Sequence, residues 1–136
     1  MPSPAPPYSG LTPERVLDAL DSVGVRGDGR LLALNSFENR VYQVWRDDAP
    51  PVVAKFYRPA RWTDAQILEE HAFAALLAER EIPVVAPLGL TADTAMLAAG
   101  KVRMIGATLG EYAGFRVAVY PRRGGRAPEL DDAKTL

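Results

Sequence analysis

Apolar residues recur along this chain with two different periods, and each change of period marks a new element. In LTPERVLDALDSVGV, Val16, Leu17 and Leu20 fall on one face of a helix; Thr12 stands at the N-cap, Pro13 at the first helical position and Glu14 in the first turn, and Gly24 supplies the stop. From Leu31 the period shortens to two. LLALNSFENRVYQVWRDDAPPVVAKFYRP reads as strand, loop, strand, turn and strand: Val41, Gln43 and Trp45 alternate with Tyr42 and Val44, and RDDAPP carries the turn residues. The pattern predicts an antiparallel meander. RWTDAQILEEHAFAALLAERE returns to helix, with Thr63 as N-cap, Gln66 at the capping-box position, Ile67, Leu68, Phe73, Leu76 and Leu77 as the apolar face, and Pro83 as the stop. IPVVAPLGL is a short apolar run broken by prolines, and GFRVAVYP is a strand ending at Pro121. RRGGRAPELDDAKTL then places a glycine pair, Pro128 and acidic residues as the opening of another helix. The predicted class is α+β: a small antiparallel sheet with one long helix, and a second helix only begun.

Composition narrows the function classes. At 136 residues, 48% hydrophobic and 24% charged, the chain predicts one domain with a real core, preceded over residues 1–10 by a disordered, proline-rich lead. A polyproline ligand is the lesser alternative for that lead. A formal net charge of -1 argues against a general nucleic-acid binder. The absence of cysteine excludes disulfides, thiolate catalysis and zinc-ribbon chemistry; the single histidine, His71, argues against a histidine-based metal site or a Ser-His-Asp triad. No signal-peptide pattern and no apolar run of about 18 residues occurs, so the sequence predicts a cytoplasmic protein without a membrane partner.

The chemistry concentrates on one lysine. In VVAKF, Lys55 and Val53 share a strand face while Ala54 and Phe56 point to the other. An ammonium among such neighbours loses hydration and calls for a carboxylate or a bound anion. Glu70 lies on the helix that follows. A strand lysine facing a helix glutamate is how protein kinases hold the α- and β-phosphates of ATP; an ordinary ion pair has the same spacing. The turn NSFENRVY carries no G-x-G-x-x-G, but Asn35, Ser36 and Asn39 offer small polar side chains and backbone N–H groups for phosphate oxygens. A plain Asx-rich hairpin turn is the alternative. His71 reads as a packing or solvent-facing residue, and Tyr57 and Trp62 as aromatic packing that seats the helix on the sheet, with partner binding the lesser alternative. Arg122, Arg123 and Arg126 form a local basic cluster, either solvated or meeting phosphates or an acidic substrate.

The ordered set LNSFENRVYQV, VVAKFYRPARWTDAQILEEHAFAALL, IPVVAPL and GFRVAVYPRRGGRAPELDD resembles the N-terminal lobe of the bacterial stress response kinase A family, serine/threonine kinases with an aminoglycoside-phosphotransferase-like fold. The resemblance runs from about Leu11 to the last residue and implies a protein-kinase-like N-lobe over residues 11–121. Residues 122–136 become a hinge and the start of a C-lobe, before which the chain is truncated. By the same resemblance Lys55 is the ATP-phosphate lysine and Glu70 its helix partner. Glu70 is preferred to Glu69 because its spacing to Leu77 resembles the E-x6-L pattern, and because Glu70, Phe73 and Leu77 share one helix face while Glu69 is rotated about 100° away. Val41 and Val53 form the apolar roof over adenine. Tyr120, Pro121, Arg122 and Arg123 occupy the linker that meets the adenine edge, and Gly124 and Gly125 turn the backbone toward the second lobe.

The segment AAGKVRMIGATLGEY is longer than the family's usual connection. No H-G-D or H-R-D segment is present, so the catalytic aspartate and the Mg²⁺ ligands are expected in the C-lobe. The implied cofactors are ATP and Mg²⁺, and the implied acceptor is a protein hydroxyl. The full-length enzyme is expected to be a monomer; this chain alone is expected to be inactive and prone to self-association. A small-molecule kinase acting on aminoglycosides, choline or homoserine, or a non-catalytic interaction module, remains open at this point.

Overall fold

A computed structural model of the chain describes residues 8–34, 39–47, 49–81 and 84–122. Helix α1 (Pro13–Ser22) starts as the sequence predicts, with the Thr12 hydroxyl accepting a hydrogen bond from the Arg15 amide at 3.1 Å. Its chain leaves through Gly24 at φ +86°, where a Cβ would meet the Thr91 carbonyl oxygen at 2.7 Å, so glycine is required on two counts. Strands β1 (Gly27–Leu34), β2 (Arg40–Arg46) and β3 (Val52–Phe56) form the expected antiparallel meander.

Helix α2 (Asp64–Glu79) follows, and its capping box is complete. The Gln66 amide donates to the Thr63 hydroxyl at 3.1 Å, and the Thr63 amide donates to the Gln66 side chain at 2.9 Å. The helix ends at Glu79; Pro83, the expected stop, lies outside the described residues. A short helix α3 (Thr94–Ala98) then precedes β4 (Val102–Gly106), β5 (Leu109–Tyr112) and β6 (Phe115–Pro121). The segment longer than the usual connection is therefore the end of α3 and a β-hairpin, which widens the sheet to six antiparallel strands in the order β1-β2-β3-β6-β5-β4. Thus β6 returns from the far side of the chain to pair with β3, Lys55 opposite Ala118 and Val53 opposite Tyr120.

The sheet's two faces carry different work. Toward α1, Val44, Val52, Ala54, Phe56, Val117 and Val119 close on Val16 and Leu20, all buried, to make the main core. Toward α2 the buried set is smaller: Tyr57, Ile67, Leu109 and Ala118. Lys55 and Val53 face this second side, as the alternation requires.

The apolar face expected for α2 is corrected. Ile67 and His71 are its buried residues, whereas Phe73 and Leu76 are 60% and 44% exposed. Apolar residues occur all round this helix, so periodicity alone does not choose the inward line; anchors from the sheet do. The Arg116 guanidinium, nearly buried on β6, donates to Asp64 at the first turn of α2 at 2.9 Å, and Arg103 lies 4.0 Å from the same carboxylate. The aspartate also meets the positive end of the helix dipole. Nearby, a Cβ at Gly106 would come within 2.9 Å of the Leu68 side chain, so β4 approaches α2 through a residue with no side chain.

Candidate functional site

Between α2 and the face of the sheet that carries Lys55 lies a cavity of about 810 Å³, within the usual size of small-molecule sites. Period-two alternation in three neighbouring strands builds most of its wall: Leu32 and Leu34 from β1, Gln43 and Trp45 from β2, Val53 and Lys55 from β3. Tyr120 and Pro121 from β6 and the following Arg122 extend that wall. The helix side consists of Glu70, His71 and Ala74; Ala74 lies one turn on from both, so the three span the part of the helix that faces the cavity. A smaller recess of about 190 Å³ shares Lys55 and Glu70 with it and is also lined by Asn39, Tyr57 and Trp62.

Of the residues singled out in the sequence, Lys55, Glu70, Val53, Tyr120 and Arg122 therefore converge on one cavity, and Asn39 joins Lys55 and Glu70 in the adjoining recess. Asn39 is committed to backbone: its side-chain oxygen accepts from the Arg58 amide at 3.1 Å. Glu69 lines neither space, in keeping with its rotation around the helix. Val41 is not among the residues lining the cavity. In register it stands between Leu34 and Lys55, one same-face pair along from Gln43 and Val53. Asn35, Ser36, Arg123, Gly124, Gly125, Arg126 and Pro128 lie outside the described residues.

Lys55 is half-buried, less enclosed than its apolar neighbours predict. Among the described residues no carboxylate oxygen comes within 4.0 Å of its ammonium, so Lys55 and Glu70 share a cavity without forming an ion pair. The Lys55 Nζ instead lies 4.9 Å from the centroid of the Tyr57 ring, a cation–π contact. That leaves the ammonium available to an anion.

Behind the lysine, Tyr57 and His71, expected as packing or solvent-facing residues, join Tyr120 and Thr108 in a polar network whose centre is buried. The Tyr57 hydroxyl and His71 Nε2 share a hydrogen bond of 2.9 Å, and His71 Nδ1 shares one of 2.8 Å with the Thr108 hydroxyl in the β4–β5 turn. The Tyr120 hydroxyl is 3.5 Å from that of Tyr57. Burial pushes both tyrosine hydroxyls above their ordinary range. Burial also holds His71 below the usual imidazole range; the Glu70 carboxylate opposes this shift and the Lys55 ammonium reinforces it.

A pH dependence follows from His71. With its folded value depressed, its contribution to stability is fully present above about pH 6.5 and is lost as pH falls from there through the folded value. The stability of the wild type minus that of His71→Gln, from denaturation midpoints between pH 7.5 and 5, should fall with a slope of at most about 1.4 kcal/mol per pH unit. A flat difference would mean that the imidazole carries no such linkage. The Tyr57, Tyr120 and Thr108 hydroxyls, Glu70 and Lys55 surround it and are the same in both variants, so the difference reads the imidazole.

Gln43, Trp45, Leu32 and Leu34 were legible as face-mates by alternation but not as cavity residues, because that depends on strand register. Among the described residues no group of three or more His, Cys, Asp or Glu side chains is placed to hold a metal ion. No helix among them is long and apolar enough to cross a membrane.

Residues 30–136 match the Phosphotransferase enzyme family. The chain is 44% identical over 125 residues to stress response kinase A of Escherichia coli (strain K12), covering 92% of this chain and 34% of the relative. Against stress response kinase A of Shigella flexneri the identity is 43%, with the same coverage. Against the serine/threonine protein kinase RdoA of Salmonella typhimurium (strain LT2) it is 42%, again over 92% of this chain and 34% of the relative. The chain thus spans about a third of the length of the curated relatives it matches.

Proposed function

This chain belongs to the phosphotransferase enzyme family, and from that membership we propose that it is the ATP-binding lobe of a serine/threonine protein kinase of the stress response kinase A type. The observation that carries the reading is the convergence of Lys55 and Glu70 on a largely apolar cleft of about 810 Å³ that also reaches the end of β6. Lys55 stands level with Ala118, and Tyr120, Pro121 and Arg122 lie progressively farther along, so a charged end and a linker end are separated along the strands.

These residues fit a nucleotide. Lys55 meets phosphate oxygens with an ammonium that no carboxylate among the described residues already neutralises, and Glu70 across the cleft orients it. Val53, Leu32 and Trp45 exclude water and receive the base, whose edge faces the backbone at Tyr120 to Arg122. Asn39 stands on the phosphate side of the cleft, where the sequence also expects Asn35 and Ser36. When bound, ATP with Mg²⁺ supplies the transferable phosphoryl group and the charge that offsets its oxygens. The relatives' additional length corresponds, on this reading, to a second lobe that contributes the Mg²⁺ ligands, the catalytic aspartate and the surface that selects a protein hydroxyl. The enzyme acts in the cytoplasm as a monomer, and residues 1–136 alone transfer no phosphoryl group.

Calorimetric titration of the full-length protein with ATP and Mg²⁺ tests the nucleotide. Saturable binding is expected, with a dissociation constant within about 1 μM–1 mM, weakened in Lys55→Met. Absence of saturation at several millimolar ATP would remove the reading. In a companion assay with radiolabelled ATP and a generic protein substrate, residues 1–136 should match a Lys55→Ala control.

A further inference from the structure

We infer that Tyr57, His71 and Thr108 form a positioning clamp that sets Lys55 and Glu70 toward each other across the cleft. Tyr57 is the link. Its ring lies 4.9 Å beneath the Lys55 Nζ, and its hydroxyl bonds at 2.9 Å to the imidazole of His71, the residue next to Glu70 on α2. One side chain thus touches the lysine directly and holds the turn of helix that carries the glutamate. Thr108 completes the clamp from the β4–β5 turn at 2.8 Å from the other ring nitrogen, so His71 is tied both to the segment after β3 and to that turn.

The need for a clamp follows from how α2 is seated. Its buried residues are Ile67 and His71, one turn apart, and beyond them Phe73 and Leu76 face solvent. The helix N-terminus is fastened separately by Arg116 and Asp64. With so little apolar surface engaged, directional bonds must fix the rotation about the helix axis, and that rotation decides whether Glu70 points into the cleft. Buried hydrogen bonds suit this because any other angle leaves the imidazole and the phenol unsatisfied. The clamp acts through Lys55 and Glu70 and touches no reacting atom, so its members are positioning residues. The inference rests on the kinase reading of those two side chains.

The test compares the full-length wild type with Tyr57→Phe, Thr108→Val, His71→Leu and Lys55→Met. Tyr57→Phe keeps the ring under the ammonium and removes only the hydroxyl; Thr108→Val keeps the shape and removes only the other bond. The expected result for Tyr57→Phe and His71→Leu is a kcat lower by about tenfold to a hundredfold, with the KM for ATP changed much less, because misplacement acts mainly on the transition state. Hydrogen exchange, read without nucleotide or turnover, should quicken by about fivefold in the amides of residues 67–79 for loss of one such bond, while β2 and β3 are unchanged. His71→Gln, which can still reach the Tyr57 hydroxyl, should recover part of the kcat. If Tyr57→Phe and His71→Leu keep wild-type kcat while Lys55→Met is inactive, the clamp is overturned and the kinase reading stands. Exchange that quickens equally throughout the domain also overturns it, because the network then serves stability alone. Activity retained in Lys55→Met overturns the kinase reading itself.

Discussion

Lys55→Met in the full-length protein should lower kcat for phosphoryl transfer by on the order of 10²-fold or more, the scale of removing one preorganised charge from a transition state, while the denaturation midpoint barely moves. The second half of that expectation distinguishes a phosphate lysine from a structural one. A buried ion pair broken by removing one partner costs about 3–5 kcal/mol, but no carboxylate among the described residues is within 4.0 Å of this ammonium. What methionine gives up is a half-buried cation–π contact with Tyr57, worth about 0.5–1 kcal/mol, and a thioether over the same ring returns about as much. Turnover and midpoints for wild type, Lys55→Met, Glu70→Gln and the double variant make the check. Activity kept while stability falls in Lys55→Met and recovers in the double variant would make the pair structural and leave the kinase assignment without its central residue.

Phe56→Ala, one residue along the same strand, should do the reverse. Phe56 faces α1 and is fully buried, with its ring edge-on to that of Tyr42 at 6.0 Å. Truncation leaves a cavity in the main core and should cost about 3–5 kcal/mol, a large share of the roughly 5–15 kcal/mol that holds an ordinary domain together. Chemical denaturation reads the loss directly. Turnover per folded molecule should stay near wild type, because the side chain is on the other side of the sheet from the cleft. A cost below about 1 kcal/mol would contradict the packing described for that face.

The contrast between these neighbours is legible in the amino-acid sequence, because a strand places successive side chains on opposite faces whatever it pairs with. Other local determinants are legible for the same reason. The caps at Thr12 and Thr63 depend on a hydroxyl and an amide three residues away, and the β2–β3 meander on alternation and a short turn. The choice of Glu70 over Glu69 draws on the E-x6-L resemblance and on a helix face shared with Phe73 and Leu77; Glu70 lines the cleft, but Phe73 is 60% exposed, so that shared face is not the buried one.

Side chains within a few residues of one another thus suffice to specify the strands β1, β2, β3 and β6, both long helices, and the face on which Lys55 lies. Long-range packing was needed to pair β6 with β3 across some sixty residues of chain, and to bring Thr108 beneath α2 on the β4–β5 hairpin. Packing also set Lys55 against the Tyr57 ring instead of the Glu70 carboxylate, and put Gln43 and Trp45, but not Val41, in the cleft wall. The inward line of α2 belongs with these. Apolar residues surround that helix, so several rotations would bury similar surface, and the choice falls to Arg116, Tyr57 and Thr108, whose bonds to Asp64 and His71 form only once distant strands are in register.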